Sequence, residues 1–159
     1  MKKLLFILST LALVVMFTSA NSNKNASMVG IAAGDFTIGN DEGVVSLKQL
    51  HGQFVLLTLW SSTDVDSRLE NIKYNRYAAQ SEKTVQLSVN FDRTKALFDE
   101  LVKADSLDAS SQYFCQIQDR SFFEERWGAN KRYNTYLINP LGTIVAVNPS
   151  DDELSRIVK

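Results

Sequence analysis

Residues 54–60 read FVLLTLW, and residues 64–79, DVDSRLENIKYNRYAA, follow after a short polar break. The first run is apolar on both faces of a strand, as expected at the centre of a buried sheet. The second carries Val65, Leu69 and Ile72 at helical spacing, and Asp64 stands where its carboxylate can cap the exposed amides of the first turn. A buried strand that leads into a capped helix is the repeating unit of an α/β sheet.

The alternation continues downstream. Val85, Leu87 and Val89 alternate with Gln86, Ser88 and Asn90, which predicts a strand with one face towards the core. Asp92 is then expected to cap a helix whose Leu97, Phe98, Leu101 and Val102 form an apolar stripe, with Lys95, Asp99 and Lys103 turned to water. A polar, serine-rich stretch at 105–112 separates this run from a short strand or turn at Tyr113 to Ile117. A brief helix around Ser121 to Trp127 follows, closed by Gly128. Thr135 to Ile138 and Thr143 to Val147 flank Asn139-Pro140-Leu141-Gly142, where proline second and glycine fourth predict a type I turn and an antiparallel hairpin. Ser150 is placed to cap a final helix reaching Val158. The expected fold is α/β, with helices on both faces of a central mixed sheet in three α/β/α layers.

Upstream, residues 1–20 read MKKLLFILSTLALVVMFTSA, with Lys2 and Lys3 ahead of apolar runs at Leu4 to Leu8 and Leu11 to Phe17 and small residues at the end. This is the pattern of a secretory signal peptide, with cleavage expected near Ala20. Its apolar core is shorter than the roughly 20 residues that cross a bilayer, and no comparable stretch follows, so no integral membrane segment is expected after cleavage. The expected organisation is a signal peptide at 1–20, a flexible polar linker at 21–28 and one domain at 29–159, exported to the periplasm or beyond.

Charge and cysteine content narrow the function. Loss of Lys2 and Lys3 takes 17 basic residues to 15 against 18 acidic ones, a formal net charge of −3. No basic face is available to neutralise phosphates, so nucleic acid is not an expected partner. Cys115 is the only cysteine, which excludes an internal disulfide and any two-thiol redox couple.

The order of these elements, together with GIAAGDF at 30–36, GVVSL at 43–47, LHGQFVLLTLW at 50–60, Arg68 with Glu70, and YLINPLG at 136–142, resembles the exported thioredoxin-like thiol-disulfide oxidoreductases of bacteria, of the resistance and cytochrome-maturation type. The resemblance spans nearly the whole mature chain and implies a thioredoxin-like domain. It also implies where the chemistry should sit, and there the chain departs. Aligned from Trp60, the family's Trp-Cys-x-x-Cys becomes Thr63-Asp64-Val65-Asp66-Ser67. Aligned from Leu137, the family's cis-proline falls on Tyr133, while Pro140 and Pro149 lie elsewhere. In that family the first cysteine is acidified by the helix N-terminus and attacks as thiolate, and the second resolves the mixed disulfide. Asp64 would keep a carboxylate at that dipole, but it is a poor nucleophile towards sulfur.

The expected function is therefore a non-redox binding or scaffold module of the cell envelope. It would engage a protein or peptide at the former active-site surface, with Trp60, Thr63, Asp64, Asp66 and Tyr133 as the candidate surface residues. Aromatic side chains are favoured at such contacts. The rival is thiol-disulfide or peroxide chemistry through Cys115 alone, although its neighbours Phe114 and Ile117 suit a buried core thiol. Asp64 and Asp66 lack the further ligands of a cation site and read as a cap and a first-turn acid. His51, in a turn, is expected to face solvent. No cofactor or metal is expected.

Overall fold

The computed structural model of the protein describes residues 28–159. The expected signal peptide and residues 21–27 of the expected linker lie outside them. Met28 packs partly buried against the main core. A hairpin of β1 (Thr37–Asn40) and β2 (Gly43–Ser46) leads into β3 (Phe54–Trp60), α1 (Val65–Ala79), β4 (Thr84–Asn90) and α2 (Lys95–Ala104). The chain continues through β5 (Gln112–Phe114), α3 (Arg120–Trp127), β6 (Thr135–Ile138), β7 (Ile144–Val147) and α4 (Asp151–Ile157).

The five-stranded sheet has the order β5-β4-β3-β6-β7. β3 pairs parallel with β4 and antiparallel with β6, so the expected central strand is the place where the sheet changes direction. Apolar packing divides between the two faces. One face carries Leu57, Leu59, Val89 and Ile138 against Phe123 and Trp127 of α3 and Phe36 and Ile38 of the N-terminal region. On the other, Leu56, Leu137 and Ala146 meet Tyr74 of α1 and Leu154 of α4, while Trp60 packs with Phe98 and Val102 of α2.

Between those last two clusters lies a belt that apolar periodicity does not reveal. Val65 and Leu69 are 68 % and 59 % exposed, and α1 instead buries Ser67, Asn71, Tyr74 and Asn75. The sheet below is polar to match. Asn71 donates to Gln112 at 3.1 Å and accepts from Gln86 at 2.9 Å and Ser88 at 2.6 Å, and Asn75 donates to Gln86 at 2.9 Å. β4 is therefore buried on both faces, and the expectation that Gln86, Ser88 and Asn90 face away from the core is corrected. Side-chain amides can be buried at little cost only when their hydrogen bonds are made, and here they are made with one another.

The caps follow the sequence with one exception. Asp64 caps α1, Ser150 and Glu153 form a capping box on α4, and Gly128 ends α3 in the left-handed region at φ 68°. α2, however, is capped by Thr94, whose hydroxyl accepts from the Leu97 amide, so Asp92 is not the cap. The expected turn at 139–142 forms, with the Gly142 amide donating to the Asn139 carbonyl at 2.9 Å. Residues 30–33 add a short edge pairing that periodicity did not indicate, through Gly30 and Ala33 amides donating to Ile144 and Gly142 carbonyls, each at 2.8 Å.

Candidate functional site

β3 and β4 are neighbouring parallel strands, so the loops at their carboxyl ends lie side by side, the position at which open α/β sheets present ligand sites. Asp92 joins these loops. Its side chain is buried, and its Oδ1 accepts from the Ser61 hydroxyl at 2.7 Å, the Ser62 amide at 2.8 Å and the Ser62 hydroxyl at 2.9 Å. Its Oδ2 accepts from Asn90 Nδ2 at 3.0 Å. A carboxylate with four donors is a strong staple, because hydrogen bonds to a charged acceptor exceed those between neutral groups. The Ser61–Thr63 loop is fixed by it, and the start of α1 is placed with it.

At that helix start, Asp64 Oδ1 accepts from the Ser67 amide at 2.8 Å, and the Ser67 hydroxyl donates to the Asp64 carbonyl at 3.0 Å. Ser67 is buried, and its hydroxyl also accepts from the Ser61 amide at 3.3 Å. Asp64 and Ser67 thus hold the helix start together. Thr63 and Asp66 are exposed. Arg68, one turn into α1, forms a two-pronged pair with Asp105 after α2, at 2.8 and 2.7 Å. Among the described residues no three His, Cys, Asp or Glu side chains converge as a metal site would require.

The surface candidates divide. Trp60 is fully buried and packs at 6.3 Å between ring centroids on Phe98, so it is removed from the surface set. The alternation of β3 sends it under α2 and away from the loops. Tyr133 is half-buried, with its ring 5.4 Å from that of Phe91. Burial raises its hydroxyl pKa, with Arg120 and Ser61 acting in the opposite direction. No cis peptide bond occurs among the described residues, including at Tyr133.

A cavity of about 700 Å³ opens beside this arrangement, lined by Thr63, Asp92, Arg93, Cys115, Arg120 and Tyr133 among others. It brings together Thr63, Tyr133 and Cys115, which the sequence named separately. Asp64, Asp66 and Ser67 do not line it. Cys115, directly after β5, is 3 % exposed, and its amide donates to the Asn90 carbonyl at 2.9 Å. Burial pushes its thiol pKa up to about 11, with the nearby Arg120 charge only partly opposing that. A thiol so placed is almost wholly protonated at neutral pH, whereas a reactive cysteine needs its thiolate.

Asp92, Arg120 and Phe91 were not identified as site residues from sequence. For Asp92 a signal existed. Strands ending at 60 and 90 as parallel neighbours place residues 61–63 and 91–93 at one crevice. Arg120 Nη2 donates to the Phe91 carbonyl at 3.1 Å, with the guanidinium 5.4 Å from the Phe91 ring centroid. Nothing in the pattern around Arg120 indicates this contact.

No family model and no curated protein matches the sequence. Solved structures do. The thioredoxin domain of a thiol-disulfide oxidoreductase from Bacteroides vulgatus aligns with a TM-score of 0.69 at 23 % identity, over 82 % of this chain and 94 % of that one. A thioredoxin-like protein from Parabacteroides distasonis aligns with a TM-score of 0.63 at 29 % identity, over 69 % of this chain and 82 % of that one. A thiol:disulfide interchange protein from a Bacteroides species gives 0.68 at 23 % identity, over 82 % and 87 % of the two chains. The chain has the thioredoxin-like fold of these thiol-disulfide oxidoreductases, and it carries a single cysteine, Cys115.

Proposed function

We propose that the protein is a non-redox binding or scaffold module of the bacterial cell envelope, exported through its N-terminal segment and engaging a protein or peptide at the surface around Thr63 and Tyr133. The observation that supports this reading is the bonding of Asp64 and Ser67, the positions at which the family resemblance expects the cysteine pair. Asp64 and Ser67 are bound to each other and to the helix start, while an open cavity remains beside them. The framework of the site is kept, and the groups that would react are replaced by groups that stabilise it. The rival, chemistry through Cys115, meets a buried thiol whose protonated form burial favours.

The surface can be probed with a photo-crosslinking residue at Thr63, which is exposed at the carboxyl end of β3, and at Gln53, exposed at the opposite end of the same strand. Irradiation in intact envelopes is expected to give discrete adducts from position 63 and none from position 53. Identical adduct patterns from both positions, or none from 63, would contradict the binding reading.

A further inference from the structure

The cavity carries a charge that its apolar walls do not need. Phe91, Leu97, Phe114, Ile117 and Tyr133 contribute rings and aliphatic groups, and Arg93 and Arg120 stand among them. The only acid in the lining is Asp92, and both its oxygens are occupied by Ser61, Ser62 and Asn90, so its charge is spent on the loop. Among the described residues no carboxylate lies within ion-pair distance of Arg93 or Arg120. Arg120 is held by its Nη2, which donates to the Phe91 carbonyl at 3.1 Å and the Asp92 carbonyl at 3.5 Å. Its Nε and Nη1 meet no acceptor among the described residues. The result is a fixed, half-buried guanidinium with spare donors at an apolar crevice, in a chain whose formal net charge is −1. The rim is apolar as well, with Ile117 82 % exposed and Leu97 39 % exposed.

Resting on the binding reading above, we infer that this cavity receives an acidic peptide. A side-chain carboxylate of the peptide meets Arg93 and Arg120, and an adjacent aromatic or aliphatic side chain enters between Phe91, Leu97 and Phe114. A guanidinium presents paired donors that match a carboxylate, and it does so best where water is partly excluded. Ile117 then covers the neighbouring peptide residue, and a basic segment is rejected by like charge. The other arginines of the chain lie outside this lining.

The test uses the full mature chain and defined synthetic peptides in matched sets: Phe or Leu beside Asp or Glu, the same peptides with Asn or Gln, and the same with Lys. Anisotropy titrations are expected to show the acidic peptides binding roughly tenfold or more tighter than their amide counterparts, and losing affinity as salt is raised. Arg93→Gln, at an exposed position, is expected to reduce that preference, and Arg93→Gln with Arg120→Gln to abolish it while binding of the amide peptides persists. Arg120→Lys, which keeps the charge without the fork, guards against a folding defect and is expected to retain part of the preference. Equal affinity for acidic and amide peptides in the natural chain would overturn the charge assignment and leave the binding reading standing. Silence from every peptide set, together with no adducts from position 63, would overturn both.

Discussion

Replacing Asp92 by alanine is expected to destabilise the protein by about 3 kcal/mol, a large share of the roughly 5 to 15 kcal/mol that holds a domain of this size together. The substitution removes no apolar packing of consequence. It removes the acceptor of four hydrogen bonds, those from the Ser61 hydroxyl, the Ser62 amide and hydroxyl, and Asn90 Nδ2. The Ser62 groups lie at the cavity, where water can replace the carboxylate. Asn90 is fully buried, and its amide donor would be left without a partner at a cost of about 1 to 3 kcal/mol, whereas the Ser61 hydroxyl can turn to the Thr63 hydroxyl 2.9 Å away. Asp92→Asn keeps one acceptor oxygen but turns an amide donor towards other donors, so a smaller loss is expected. Urea denaturation of the three proteins checks this. A loss below about 1 kcal/mol for Asp92→Ala would mean that the loop is held by something else.

The second large effect is a gain. In the double substitution Asp64→Cys and Ser67→Cys, the thiols are expected to close to a disulfide in mild oxidant and to confer measurable insulin reduction, where none is expected of the natural chain. The two positions are one helical turn apart and already in contact: the Asp64 side chain reaches the Ser67 amide at 2.8 Å, and the Ser67 hydroxyl reaches back to the Asp64 carbonyl at 3.0 Å. A thiolate at position 64 would sit at the N-terminus of α1, where the helix dipole favours it. Loss of the Asp64 cap is expected to cost the reduced form about 1 kcal/mol. Thiol titration under denaturing conditions, before and after reduction, should find one thiol in the oxidised protein, Cys115, and three in the reduced form. Three free thiols after oxidation would show that the start of α1 does not have the geometry of the proteins it resembles.

The sheet was legible because its signals are local and redundant. Phe54–Trp60 is too uniformly apolar to be anything but a central strand, and Asn139-Pro140-Leu141-Gly142 dictates its own turn. Asp64, Gly128 and Ser150 behave as their types and positions require. The buried face of α1 escapes apolar periodicity for an equally physical reason. Periodicity finds a buried face by its apolar residues, and this helix buries Ser67, Asn71 and Asn75 because Gln86, Ser88 and Gln112 beneath it supply hydrogen bonds. Val65 and Leu69, left exposed, then imitate the core stripe.

At the site, the lack of a second cysteine anywhere in the sequence can be read directly from residue identity. The role of Asp92 and the position of Arg120 cannot, since both depend on contacts between segments about 30 residues apart in sequence. Trp60 shows the same limit from the other side. Its type suggested a recognition surface, and only the pleat of β3 sends it inward under α2.

The protein is expected to run no dithiol reaction and to use its surface for binding. The measurement that meets this claim most directly is turnover of insulin disulfides and of peroxide by the natural mature chain, run beside Cys115→Ser. No turnover above background is expected from either protein. Clear turnover in the natural chain that disappears in Cys115→Ser would contradict the account and make the buried thiol the centre of the protein's chemistry.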